Sequence, residues 1–283
     1  MSRVSGSGAW VPVNTGSDVD LVIEDPTNGI DIPAGEQVVV EITVVLEDSA
    51  GNTSGLSFVN TAAYLYNILD GDAASLRPGD AGSTPPMTIV GPDQLTLQKR
   101  GPPAMTVGTQ GIYTLEVHNP STGTAWNASV LDLLPNTATG GTCETAPSSL
   151  TVQLFESDGI TAAGPPLAQG SDFSVGFAPA PACRIEIAML SPATAIPPGQ
   201  RLLIAYALGL DPDTAEGATL TNVAGVTEWF SADGADPRTV DDRRRFTRTL
   251  TDGTVGALDH EDAHTVTSTF AEFIFEKSVA NLT

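Results

Sequence analysis

Lysine is almost missing from this 283-residue chain: ten of the twelve basic residues are arginine, and the lysines are Lys99 and Lys277 alone. Positive charge of any kind is scarce, since 34 acids against those twelve bases leave a net charge of −22. A polyanion of this kind is repelled by phosphate backbones and anionic lipid, which argues against nucleic-acid and membrane-surface roles. No run approaches the roughly 18 apolar residues of a membrane span. The opening Met1–Gly8 holds no hydrophobic leader, so the chain is expected to be either cytosolic or a piece of a longer exported protein. Enzyme signatures are absent too: there is no G-x-S-x-G, no P-loop, no dinucleotide fingerprint and no plausible Cys/His pair. The chain is therefore expected not to be an enzyme and to require no cofactor.

What is present points to strands. Twenty-eight Gly and 21 Pro favour turns and extended segments over helices. Short β-rich runs recur at 36–46, 95–99, 111–118, 183–189 and 201–210, several alternating strictly, with Pro/Gly/Asp/Asn clusters between them. Such spacing predicts an all-β fold of the sandwich type. The chain also repeats itself. Ile32-Pro-Ala-Gly35, a β run and Leu56-Ser-Phe-Val-Asn60-Thr-Ala62 parallel Ile196-Pro-Pro-Gly199, a β run and Leu220-Thr-Asn222-Val-Ala224. Leu95-Thr-Leu-Gln-Lys99 likewise parallels Phe273-Ile-Phe-Glu-Lys277. The expected organisation is the later part of one repeat (1–94), a complete repeat (95–271) with a long acidic loop at 229–268, and the first strand of another (272–283).

These elements resemble a known family. Leu95–Lys99, Val107-Gly108, Ile112-Tyr-Thr-Leu-Glu-Val-His-Asn119, Ala128-Ser-Val-Leu-Asp132-Leu-Leu-Pro135, Ile196–Gly199 and Leu220–Ala224 together look like the bacterial conserved repeat domain, domain of unknown function eleven. The resemblance covers roughly 95–228, with a partial copy at 19–65. It implies tandem Ig-like β-sandwich repeats, elongated, in large exported surface proteins, and hence an extracellular location. One departure is Arg100-Gly-Pro-Pro103, which should cut the opening strand short.

Side-chain parity then singles out three residues, because successive strand residues face opposite ways. Lys99 shares a face with Leu95 and Leu97, Asn222 with Leu220 and Ala224, and Asp132 with Val130 and Leu134. An amine, a carboxamide and an acid thus point where apolar groups belong, and burying any of them alone is expensive. One explanation is an intramolecular isopeptide bond. Desolvation makes the Lys99 amine neutral and nucleophilic, Asn222 is the acceptor, and Asp132 shuttles protons as ammonia leaves. This arrangement is similar to that of collagen-adhesin-type surface domains. The plainer alternative is a buried Lys–Asp ion pair with Asn222 satisfying backbone groups. Glu116 is the competing acid, but its parity sets it with Thr114 and His118 on the other face. Asn60 and Lys277 are the equivalents in the flanking repeats. Lys277 could join Asn60 of a neighbouring molecule by strand addition, building a filament.

Cys143 and Cys183, an even pair within one repeat, read as a disulfide. Acidic turns recur at Asp70-Gly-Asp72, Asp233-Gly-Ala-Asp236, Asp241-Asp242, and Asp252 with Asp259, Glu261 and Asp262. Oxygen-rich loops suit Ca²⁺, and Asp70, Asp72, Asp233 and Asp236 are the candidates, although solvated turns are the plainer and preferred reading. His260 and His264 have the spacing of a zinc pair but sit in an expected loop, which argues against a metal. Arg243-Arg-Arg245 reads as a local ion-pair partner. The functional expectation is a stalk or adhesive-fibre segment. The alternatives are an adhesin module recognising glycan or protein through 229–268, and a subunit polymerising through its terminal strand.

Overall fold

The computed structural model describes residues 2–4, 32, 34–40, 46, 49, 51–69, 73–237, 240, 243–251, 253–254, 259–270 and 276–280. The chain divides into two units, residues 1–46 with 56–88 and residues 47–55 with 89–283.

In the larger unit the alternating runs become strands. They are Thr96–Arg100 (β1), Ala104–Thr106 (β2), Gln110–His118 (β3), Trp126–Leu133 (β4), Ser148–Phe155 (β5), Phe173–Ala178 (β6), Arg184–Met189 (β7), Arg201–Gly209 (β8), Thr219–Phe230 (β9), Arg245–Thr247 (β10) and Glu261–Thr269 (β11). One sheet runs β5-β8-β3-β1; the other runs β2-β11-β9-β4-β7-β6, with β10 paired to one end of β9. Pairing is antiparallel except for β2, which lies parallel to β11 with Ala104 opposite Thr267. Two sheets packed face to face, with the chain crossing between them, make an all-β sandwich of the Ig-like kind. Strand alternation dictates what lies between the sheets. Tyr113, Leu115 and Val117 of β3, Ile185 and Ile187 of β7, Leu202, Ile204 and Tyr206 of β8, and Leu220, Ala224 and Val226 of β9 are all buried.

Arg100-Gly-Pro-Pro103 ends β1 as expected and does more. Prolines cannot donate to a ladder, and the chain leaves the four-stranded sheet at Pro102 and Pro103 to join the seven-stranded one as β2. Gly101 is required at the crossing, because a Cβ there would come within 2.8 Å of both the Tyr113 ring and the His264 ring. A second turn recurs along the chain: Gly35 and Gly199, each closing an Ile-Pro-X-Gly run, hold φ of 85° and 80°, values that favour glycine.

The expected acidic loop at 229–268 is corrected by the structure. β9 extends through Phe230, 245–247 pair with its end, and 261–269 form a nine-residue strand of the sheet. The run Glu261-Asp-Ala-His-Thr-Val266 was obscured by its charges, yet Ala263 and Val266 are buried in the sandwich. Asn222 accordingly lies on β9, with one further long strand, β11, after it. Residues 89–94, expected in the partial repeat, also belong to the larger unit; the Pro92 carbonyl accepts the indole N–H of buried Trp229 at 2.5 Å.

In the smaller unit the described residues from 56 to 88 form one antiparallel hairpin, pairing Ser57–Phe58 with Met87–Thr88, Thr61–Ala62 with Gly82–Ser83, and Leu65–Asn67 with Leu76–Pro78. Ser2–Val4 pairs separately with Val38–Val40. No helix among the described residues is long and apolar enough to cross a membrane.

Candidate cross-linking site

Of the three residues singled out by parity, Lys99 and Asp132 meet in the sandwich interior, and Asn222 is buried on the strand next to that of Asp132. β1 is anchored by Leu95 and Leu97, both at most 1 % exposed, and the same alternation drives Lys99 inward until it is 3 % exposed. β4 and β9 are neighbours with Asp132 opposite Ala224. This places Asn222 diagonal to Asp132 on the inward face, where side chains interact across a sheet. Asp132 and Asn222 are 0 % and 1 % exposed.

The Lys99 amine donates to Asp132 Oδ2 at 2.6 Å and to the Tyr206 hydroxyl oxygen at 3.0 Å. The Tyr206 hydroxyl in turn donates to the same Asp132 Oδ2. Nζ lies 5.5 Å from the Tyr113 ring centroid and 5.6 Å from that of Tyr206, two rings stacked at 5.9 Å. Among the described residues, three buried side-chain atoms at this site find no hydrogen-bond partner: Asp132 Oδ1, Asn222 Oδ1 and Asn222 Nδ2. Burial pushes the Lys99 pKa down, and the neighbouring Asp132 carboxylate only partly offsets this. Burial and Asp132 together hold the Tyr206 hydroxyl well above the usual phenol range, and the Asn222 amide, near the hydroxyl but outside hydrogen-bond geometry, pulls slightly the other way. Tyr113 is pushed up to about 12 for the same two reasons. Both phenols are therefore proton donors at neutral pH. Unpartnered buried polar groups cost about 1–3 kcal/mol each, so a carboxamide with both ends orphaned beside an amine of lowered pKa is the conspicuous feature of this core.

Sequence reasoning missed two contributors. Tyr206 carried a signal, since it continues the inward face of Leu202 and Ile204 and is the one polar tip on it. Asp262 was assigned to a solvated turn; it is 5 % exposed, and its Oδ2 accepts the Lys99 backbone N–H at 2.8 Å while its Oδ1 accepts the Ala263 N–H. It thus closes the open edge of β1 at the lysine, aided by Leu97 N–H donating to the Asp259 carbonyl at 2.7 Å. Glu261 is likewise buried. Burial alone would raise its pKa, but hydrogen bonds from Thr251 Oγ1, Thr251 N–H and Gly253 N–H outweigh this and lower it.

The remaining candidates are dispersed. Glu116 is on the outer face, paired with Arg201. Asn60 is an exposed residue of the hairpin, its N–H donating to Thr84 Oγ1. Lys277 is exposed, and Glu276–Ala280 carry no strand; 271–275 lie outside the described residues. Cys143 and Cys183 form a disulfide with a Cα–Cα distance of 5.2 Å. Asp70, Asp72, Asp241, Asp242 and Asp252 lie outside the described residues. Asp233 Oδ1 accepts the Ala235 N–H, and among the described residues no group of three or more His, Cys, Asp or Glu side chains could hold a metal, Asp233 and Asp236 included. His260 and His264 lie on or beside β11 and bond separately to the Thr249 and Pro102 carbonyls. Of the arginine triplet, Arg245 pairs with Glu228, while Arg243 stacks on Phe230 at 3.8 Å and donates to Asn127.

No protein-family model and no curated protein sequence matches this chain. Solved structures do. The collagen-binding subdomain of the Enterococcus faecalis surface protein ACE is 8 % identical, with 61 % of this chain and 95 % of that one aligned at a TM-score of 0.34. The collagen-binding domain of a Staphylococcus aureus adhesin is 10 % identical over 60 % and 96 % at 0.31. The pilus backbone protein of Streptococcus pneumoniae is 10 % identical over 49 % and 32 % at 0.35.

Proposed function

We propose that this chain is a load-bearing segment, a stalk or adhesive-fibre piece, of a bacterial cell-surface protein, stapled by an isopeptide bond between Lys99 and Asn222. The observation that carries this reading is a wholly buried amine and acid 2.6 Å apart beside a buried carboxamide with no partner at either end. In the reaction, Lys99 Nζ attacks Asn222 Cγ and a new N–C bond forms. The Cγ–Nδ2 bond then breaks and ammonia departs. Low polarity favours the neutral amine, and Asp132 accepts and returns protons at the reacting centre.

The bond would join β1 of one sheet to β9 of the other. By the loop-closure relation for cross-links, tying residues about 120 apart removes about 5 kcal/mol of unfolded-state freedom. It also prevents the two sheets from sliding apart under tension. The Cys143–Cys183 disulfide supports an oxidising, extracellular setting. The sequence resemblance to conserved surface repeats supports the same placement.

Intact-mass spectrometry tests the reading. After allowance for the disulfide, the wild-type chain is expected about 17 Da below its sequence mass, one ammonia, and Lys99→Ala at its full sequence mass. A folded wild-type chain at full mass refutes the staple.

A further inference from the structure

Two protons must leave the Lys99 nitrogen if an ammonium is to become an amide N–H, and the site holds two routes from that nitrogen to the acid. The first is direct, Nζ to Asp132 Oδ2 at 2.6 Å. The second is a donor chain: Nζ–H to the Tyr206 oxygen at 3.0 Å, and Tyr206 O–H to the same Oδ2. Tyr206 comes from β8 of the four-stranded sheet and Asp132 from β4 of the seven-stranded one, so the chain is complete only when the sheets have closed on each other. Tyr113, the other ring against the amine, bonds instead to Met105 Sδ and offers no second route.

We infer that Tyr206 is a fourth catalytic residue of the self-cross-linking reaction, relaying one of the two lysine protons to Asp132. The inference rests on the cross-linking reading above. The balance is as follows. One Nζ proton passes directly to Asp132, making the nucleophile. As Nζ bonds to Asn222 Cγ, Asp132 hands that proton to the departing Nδ2, which leaves as ammonia. A second Nζ proton then passes to the Tyr206 oxygen while the phenol's own proton moves to the emptied Asp132, where it remains; the third Nζ proton stays in the new amide. Tyr206 ends neutral, and nothing is oxidised or reduced. Neither Asp132 Oδ1 nor Asn222 Nδ2 is held by another hydrogen bond among the described residues, so neither is tied away from the transfer between them.

The test uses the full chain recovered unfolded in urea at its uncross-linked mass, then refolded by dilution into H₂O or D₂O buffer. Near-UV circular dichroism follows folding, and the loss of about 17 Da follows the bond. Tyr206→Phe is expected to fold yet form the bond at least about tenfold more slowly, the lower range of general acid–base effects. Its slowing in D₂O should also be smaller than that of wild type, since one moving proton has been removed. Tyr113→Phe should match wild type. An unchanged rate for Tyr206→Phe overturns the relay, and so does a slower rate with an unchanged isotope effect, which would mark a packing role. Should Tyr206→Phe miss the native dichroism, the comparison passes to chain made with 3-fluorotyrosine. Its more acidic hydroxyl must alter the isotope effect, and no alteration overturns the relay. A wild-type chain that folds without losing mass sinks the cross-linking reading itself, a result distinct from any failure of Tyr206 alone.

Discussion

Replacing Asn222 by alanine separates a covalent staple from an ion pair by the sign of its effect. The substitution leaves the Lys99–Asp132 pair in place, so it does not expose a lone buried charge. If the amide is consumed in a bond, the variant loses a tie across about 120 residues, worth about 5 kcal/mol. Unfolding entropy of about 2 cal/mol/K per residue over a unit of roughly 200 residues then converts this to a fall in Tm of about 12 °C. If no bond forms, Asn222 is a buried amide with two unsatisfied atoms, and its removal relieves about 1–3 kcal/mol. The small cavity left by three atoms offsets about 1 kcal/mol of that. The Tm would then stay within about 3 °C of wild type or rise. Differential scanning calorimetry of the two proteins decides the matter. A variant as stable as wild type, or more so, refutes the reasoning.

The Asn222→Ala chain also retains a titrating amine. Because burial holds the folded-state pKa of Lys99 below its ordinary value, the unfolded state binds more protons between the two, and stability should climb with pH across that window. Urea melts of the variant should show this slope and wild type should lack it, its amine having been consumed. Glu261 gives a slope of the same sign at acid pH: its pKa is depressed, so its stabilisation is present above the ordinary carboxylate range and is lost as pH falls through its lowered folded-state value. Glu261→Gln should flatten the acid limb of the stability curve. Replacing Cys143 and Cys183 by serine should cost about 4 kcal/mol for the loop they close, read as a drop of about 9 °C in Tm, while leaving the 17 Da deficit untouched.

Much of this site could be read from alternation alone. Lys99, Asp132 and Asn222 each occupy an inward position with an aliphatic residue two places away, so period-two parity was sufficient to turn all three into the sandwich interior. The end of β1 was likewise written in Arg100-Gly-Pro-Pro103, whereas the crossing to the other sheet was not. What parity could not reveal was β11. Its Glu261-Asp262 start reads as a solvated turn, because the partners that neutralise those acids, Thr251, Gly253 and the backbone of Lys99, arrive from elsewhere in the chain. Tyr206 was overlooked for a different reason: a tyrosine on a buried strand face is ordinary packing until something shows its hydroxyl meeting an amine and an acid. The repeat parallel at Asn60 matched sequence without matching environment, since Asn60 is exposed on a hairpin and Asn222 is enclosed by two sheets.

Peptide mapping of the reduced, alkylated wild-type chain is the most direct examination of the staple. Digestion followed by tandem mass spectrometry should yield one branched species in which the peptide containing Lys99 is joined to the peptide containing Asn222, with a fragment series breaking on both arms and no proteolytic cleavage after Lys99. Recovery of those two peptides as separate linear species, each at its unmodified mass, would contradict the account.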